Sequence, residues 1–176
     1  MENPIQIAVI GGAECDENTS RLARETGEAI ARAGAVLLCG GRGGVMRAAA
    51  EGASSLGGLT VGILPGSDLR GSDPNPYMKL HIHTGMGQAR NLILVLSAGA
   101  VIGIDGGWGT LSEIAHAIRY EIPVVLLESW DLTRPDGRPE PLLRHATGAD
   151  EAVSMALEAA RAREPTNPPI HSRRSG

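Results

Sequence analysis

The chain has 176 residues and a formal net charge of −4, with 42% hydrophobic and 2% aromatic residues. That is one domain's length with enough apolar material for a sizeable core, while the missing basic excess and the scarcity of stacking aromatics argue against a nucleic-acid partner. With two Trp, two Tyr and no Phe, the core must be built from Val, Ile, Leu and Ala, which suits a parallel sheet covered by small-residue helices.

In chain order, strands and helices alternate. Residues 5–10 read as a strand. Met1-Glu2-Asn3-Pro4 leads straight into it without a leader segment, and no apolar run is long enough for a bilayer, so the expected location is cytoplasmic. A helix follows over 18–33, with Leu22, Thr26, Ala29 and Ile30 on one face; then a strand over 35–39 and an alanine-rich helix over 44–56. Residues 59–64 form a strand ended by Pro65-Gly66, and a polar loop runs from 67 to 78. A short strand over 79–83 precedes a strongly apolar helix over 88–98, expected to be central. Strands over 100–104 and 123–127 flank a helix over 110–120, and an amphipathic helix over 150–163 closes the domain. The polar segment 128–140 reads as a surface or lid loop.

This alternation predicts a single Rossmann-like α/β domain over residues 1–163, with about six or seven mostly parallel strands and helices on both faces. Residues 164–176, with Pro165, Pro168, Pro169 and Arg173-Arg174, read as a disordered tail. Cys15 and Cys39 form no CxxC motif and read as small buried residues.

Three strand-to-helix loops carry glycines, and ligands of such sheets bind at the carboxyl ends of the strands. Gly11-Gly12-Ala13 follows the first strand but offers no G-x-G-x-x-G, and Cys39-Gly40 stands where the second strand should end in an acid, so a dinucleotide site is not expected. Gly40-Gly41-Arg42-Gly43-Gly44 has more glycine than a tight turn needs; its bare backbone and Arg42 suit a phosphate. Asp105-Gly106-Gly107-Trp108-Gly109-Thr110-Leu111-Ser112-Glu113 joins a buried strand to a helix and carries an acid. Two readings of Glu113 stand side by side: a member of a Thr110–Glu113 capping box, or a functional carboxylate beside the ligand. Arg90 opens an otherwise apolar helix, where a cation meets an unfavourable dipole; an anion or Glu113 would give it a reason. His81 and His83 alternate on one strand and point the same way, but no third ligand completes a metal site. His116 reads as structural.

At these residues the chain resembles the LOG family, once labelled possible lysine decarboxylases. Its hallmark is M-x-x-R-K followed by P-G-G-x-G-T-x-x-E. The second motif is intact here except that Asp105 replaces the proline; the first is altered, with one extra residue between Met86 and Arg90 and Asn91 for the lysine. The resemblance covers roughly residues 5–160. It implies that Arg90 and Glu113 are a catalytic pair, hydrolysing the N-glycosidic bond of a nucleoside 5′-monophosphate with no cofactor required. The ligand would lie on Gly11, Gly12, Gly40, Gly41, Arg42, Gly43, Gly44, Met86, Asp105, Gly106, Gly107, Gly109 and Thr110. It also implies a homo-oligomer, a dimer or tetramer.

The short glycine loop and Asp105 make the chain similar to a sister branch, the molybdenum cofactor carrier proteins. That branch implies the alternative: a non-catalytic carrier of molybdenum cofactor, a phosphorylated pterin. The retained spacing of Arg90 and Glu113 puts the phosphoribohydrolase slightly ahead on residues alone. Pyridoxal-dependent lysine decarboxylation is not expected, since it needs a Schiff-base lysine and Lys79, the only lysine, opens a short strand with no cofactor site around it.

Overall fold

The structure, a computed structural model, describes residues 3–163; the expected tail over 164–176 lies outside them. Strand β1 (Gln6–Gly11) is apolar and buried, and Asp16 starts α1 (Glu17–Arg32) by accepting the Thr19 N–H at 2.8 Å. Then come β2 (Val36–Cys39), α2 (Gly44–Ser55) and β3 (Thr60–Leu64). The polar loop holds one short helix, α3 (Leu69–Ser72), before β4 (Leu80–His83). Next are α4 (Arg90–Leu96), β5 (Ala100–Ile104), α5 (Trp108–Arg119) and β6 (Val124–Leu127), and the domain ends with β7 (Leu143–His145) and α6 (Ala149–Ala162).

The seven strands form one all-parallel sheet in the order β4-β3-β2-β1-β5-β6-β7. This is the expected Rossmann-like α/β domain. Every residue of β2, β3, β5 and β6 is buried, as a sheet covered on both faces requires. Alternate residues of β1 face opposite layers. Ile7 and Val9 pack with Ala23, Ile30 and Ala49 of α1 and α2 and with Val153 and Leu157 of α6. Ala8 and Ile10 pack with Leu94 and Val95 of α4 and Ile114 and Ala117 of α5.

The layer of α1 and α2 owes its thinness to two helix-interior glycines. A Cβ on Gly27 would run into the Ala49 carbonyl oxygen, and one on Gly52 into the Arg24 carbonyl oxygen. The helices therefore touch backbone to backbone, which offsets the low helix propensity of glycine.

Three expectations change. The helix expected over 88–98 is a 3₁₀ turn (Gly87–Ala89) followed by the seven-residue α4, and it lies on one face of the sheet rather than at the centre. Leu96 is half exposed, so apolar content overstated its burial. The loop 128–140 is a surface segment, as expected, anchored where Trp130 and Leu132 pack against the α4–α5 core and Thr133 pairs with Pro139. Strand β7 was not foreseen, because three residues containing Arg144 and His145 on a sheet edge show no apolar pattern. Cys39 is buried as expected, whereas Cys15 is partly exposed.

Candidate functional site at the sheet switch point

The chain builds outward from β1 through β2, β3 and β4, then returns to the other side of β1 with β5. The loops leaving β1 and β5 therefore diverge, and a crevice opens at their carboxyl ends, where open α/β sheets bind ligands. A cleft of about 290 Å³ occupies it. Gly11, Gly12 and Ala13 after β1 form one wall, and Gly107, Gly109 and Thr110 after β5 form another. Arg42 and Met46 close it from the α2 side, and Gln88, Arg90 and Asn91 from the α4 side. Glu113 lines its depth.

The start of α5 removes one of the two readings of Glu113. The helix begins at Trp108, two residues earlier than expected, with Gly107 as its N-cap and no side-chain cap. Thr110 and Glu113 are thus inside the helix, not at its end, and the capping-box reading is wrong. Glu113 instead turns into the cleft with a residue exposure of 6%. The uncapped first turn, with Gly109 and Thr110 on the cleft wall, leaves the positive end of the helix dipole facing the ligand space.

Arg90 is equally buried, and its Nε and Nη1 have no hydrogen-bond partner. Its nearest counter-charge is Glu113, with Nη1 4.0 Å from Oε1, too far for a hydrogen bond. Burial pushes the Glu113 carboxyl up to about 7, with Arg90 pulling it back only in part. Burial likewise lowers the Arg90 guanidinium below its ordinary value, opposed by Glu113. A buried guanidinium with idle donors is costly unless something satisfies it. An anion entering the cleft would do so.

The glycine loop after β2 serves this guanidinium from behind. A Cβ on Gly40 would overlap the Arg90 head group, so the bare backbone makes the space in which Arg90 sits. Gly41 is buried, with its N–H donating to Cys39 Sγ at 3.3 Å and its carbonyl accepting from Asn75 N–H. Gly44, with φ +56, lets Val45 N–H reach the Gly12 carbonyl at 3.1 Å, locking the first two glycine loops together.

A model of the SLOG cluster4 family matches residues 4–160, nearly the whole described domain. The chain belongs to that family. A protein of Archaeoglobus fulgidus is 53% identical over 116 residues, which are 65% of this chain and 74% of the relative. Among solved structures, the molybdenum cofactor binding protein of Rippkaea orientalis is 34% identical with a TM-score of 0.80, over 90% of this chain and 98% of that one. The Moco carrier protein of Chlamydomonas reinhardtii is 33% identical with a TM-score of 0.78, over 90% and 99%.

Within this SLOG cluster4 domain, the cleft brings together Arg90 and Glu113 with Gly11, Gly12, Arg42, Gly107, Gly109 and Thr110. The other expected contacts sit outside its lining. Gly40, Gly41, Gly43 and Gly44 shape the loop behind it, Gly106 packs on Thr110, and Met86 and Asp105 are exposed beyond the rim. Asn91, Gln88, Ala13 and Met46 line the cleft unforeseen. Asn91 alone carried a signal, a polar residue beside Arg90 in an apolar run, where the LOG motif has a lysine.

His81 and His83 stay apart from the cleft. His83 Nδ1 lies 3.3 Å from Ser72 Oγ, and no group of three metal-ligating side chains exists among the described residues. Lys79 donates to the Gly57 carbonyl at the amino end of β4, the opposite end of the sheet. No helix among the described residues is long and apolar enough to cross a membrane.

Proposed function

We propose that this chain binds and carries a phosphorylated pterin of the molybdenum-cofactor class without acting on it chemically. The observation that carries this is the whole-domain likeness to two molybdenum-cofactor proteins at 33% and 34% identity, over 90% of this chain. The cleft supports it on chemical grounds. Two arginines, a bare glycine wall and an uncapped helix N-terminus suit a phosphate. Arg90 supplies buried donors that the protein itself leaves idle.

A second reading, phosphoribohydrolase, is favoured by one feature, the buried carboxyl of Glu113 beside Arg90, with a pKa of about 7. Groups titrating near neutrality suit general acid–base work. Yet Glu113 is the only carboxyl in the lining of the cleft. Glycosidic cleavage passes through a cationic sugar, which an ionised carboxylate stabilises. A carboxyl held at about 7 is only half ionised at neutral pH, and its protonated fraction suits a bound anion better than a cation. The carrier reading therefore stands ahead of the hydrolase that the motifs alone favour.

The test pairs two measurements on one preparation: retention of molybdenum cofactor on the purified chain, and ribose 5-phosphate release from a panel of nucleoside 5′-monophosphates. Tight retention without release is the expected result. Release that disappears in Glu113→Gln would replace the carrier with the hydrolase.

A further inference from the structure

A second hollow, about 450 Å³, lies between the first turns of α4 and α5. It is continuous with the Arg90 cleft, since Gln88, Asn91 and Gly109 line both. Ala89 and Leu92 give it an apolar wall, and Ser112 and His116 face it from α5. Ser112 Oγ already donates to the Gly109 carbonyl at 2.7 Å. Asn91 does not share that satisfaction: the residue is 9% exposed, and its Oδ1 is buried with no hydrogen-bond partner. A buried amide oxygen left bare costs free energy, and in a native site it marks a place where a donor is missing.

We propose that this groove seats the planar ring of the ligand and that Asn91 Oδ1 selects a ring carrying an N–H donor beside a carbonyl, as in the 2-amino-4-oxo edge shared by pterins and guanine. The inference rests on the reading of the Arg90 cleft as a phosphate site. The phosphate lies on Arg90 and the first turn of α5, and the ring runs from there over Gly109 between Leu92 and His116. The division of labour matches the chemistry of the walls. Charge and bare backbone lie at one end, and an apolar slot with few polar groups lies at the other, the usual make-up of a small-molecule site. Asn91 stands at the junction, where it is positioned for specificity rather than for charge.

Isothermal titration calorimetry with three probes tests this: neopterin monophosphate, guanosine 5′-monophosphate and ribose 5-phosphate. The wild type is expected to bind at least one ring-bearing probe about tenfold more tightly than ribose 5-phosphate. Asn91→Leu, with the same number of side-chain heavy atoms and the same branching, should erase that advantage, with circular dichroism showing that the variant is folded. Ala89→Phe, at an exposed position that lines the second hollow and not the Arg90 cleft, should do the same by filling the slot while leaving ribose 5-phosphate binding unchanged. Equal binding of all three probes to the wild type overturns the proposal. So does a ring advantage that persists in both variants, and the phosphate reading then survives alone. An Asn91-dependent advantage for the guanine nucleotide without one for the pterin supports the groove and overturns the pterin reading. Failure of all three probes to bind overturns both.

Discussion

Arg90 and Glu113 are the only charged side chains buried among the described residues, and they face each other across 4.0 Å without a hydrogen bond. A structural ion pair would have closed that gap, because a buried pair stabilises only when geometry is good and the remaining donors are satisfied. Here both Nε and Nη1 of Arg90 are idle and Glu113 is pushed toward its neutral form. Under the proposed reading, an anion that enters between or above the pair supplies the missing partners, and the fold bears the cost of keeping the pair there until it does.

Arg90→Met follows directly. With no protein hydrogen bond to lose and only a loose contact with Glu113, the substitution removes a desolvated charge and keeps most of the side-chain volume. Stability in urea is expected to stay within about 1 kcal/mol of wild type or to rise. Binding of a phosphorylated probe should fall about 100-fold, the scale of losing charge-assisted hydrogen bonds in a buried site. A variant that loses several kcal/mol of stability yet binds the probe with wild-type affinity would show that Arg90 is a structural residue.

Glu113→Gln tests the same pair through pH. The carboxyl titrates near 4.5 when unfolded and at about 7 in the fold, so the fold favours its protonated form. Below pH 4.5 the group is protonated in both states and contributes nothing. As pH rises toward 7 the unfolded chain ionises first, and wild type loses stability relative to the Gln variant until the folded group ionises as well. The stability difference between the two is therefore expected to shift in favour of Gln by ~3 kcal/mol between pH 4 and pH 8. Denaturant titrations across that range check it; parallel profiles would mean that Glu113 is solvated and ionised in the fold.

Much of this was legible in sequence, for physical reasons that differ by element. The fully buried strands β5 and β6 announce themselves as unbroken apolar runs, and strict alternation with helices leaves little choice but a parallel sheet. Strand β7 and the break between Gly87–Ala89 and α4 were invisible, because short exposed pieces carry no periodicity. In the site, Arg90 was found as a misplaced cation and Glu113 as a motif residue. What sequence left open was the role of Glu113, since Thr110 and Glu113 have capping-box spacing wherever the helix starts. Only the helix beginning at Trp108 removes that alternative. The split among the glycines, some lining the cleft and some backing Arg90, depends on three-dimensional proximity between β2 and α4 that no local pattern records.

Gly40→Ala probes that proximity. The added methyl would occupy the space of the Arg90 head group, and the guanidinium must shift out of its slot or the loop must move. A destabilisation of about 1–3 kcal/mol is expected, as for other overpacked sites. Affinity for a phosphorylated probe should fall together with it. The double variant Gly40→Ala with Arg90→Met should recover most of the stability, because the methyl then meets a flexible thioether. Additive losses in the double variant would place the strain elsewhere in the loop.

Asp105 tests whether the motif can be restored to the pattern the sequence departs from. The residue sits at φ +48 at the carboxyl end of β5. Its N–H donates to the Leu127 carbonyl at 3.1 Å and its carbonyl accepts from Ser129 Oγ, tying β5 to the loop after β6. Proline, which the LOG motif carries at this point, holds φ near −65° and has no N–H. Asp105→Pro is therefore expected to destabilise by ~3 kcal/mol or more. Asp105→Gly keeps the N–H and adopts positive φ freely, so its stability should range from unchanged to about 1 kcal/mol higher. Urea unfolding of the two variants separates the cases. A well-folded proline variant would mean that the backbone here can take a negative φ, and that the aspartate is not what sets the shape of the loop before α5.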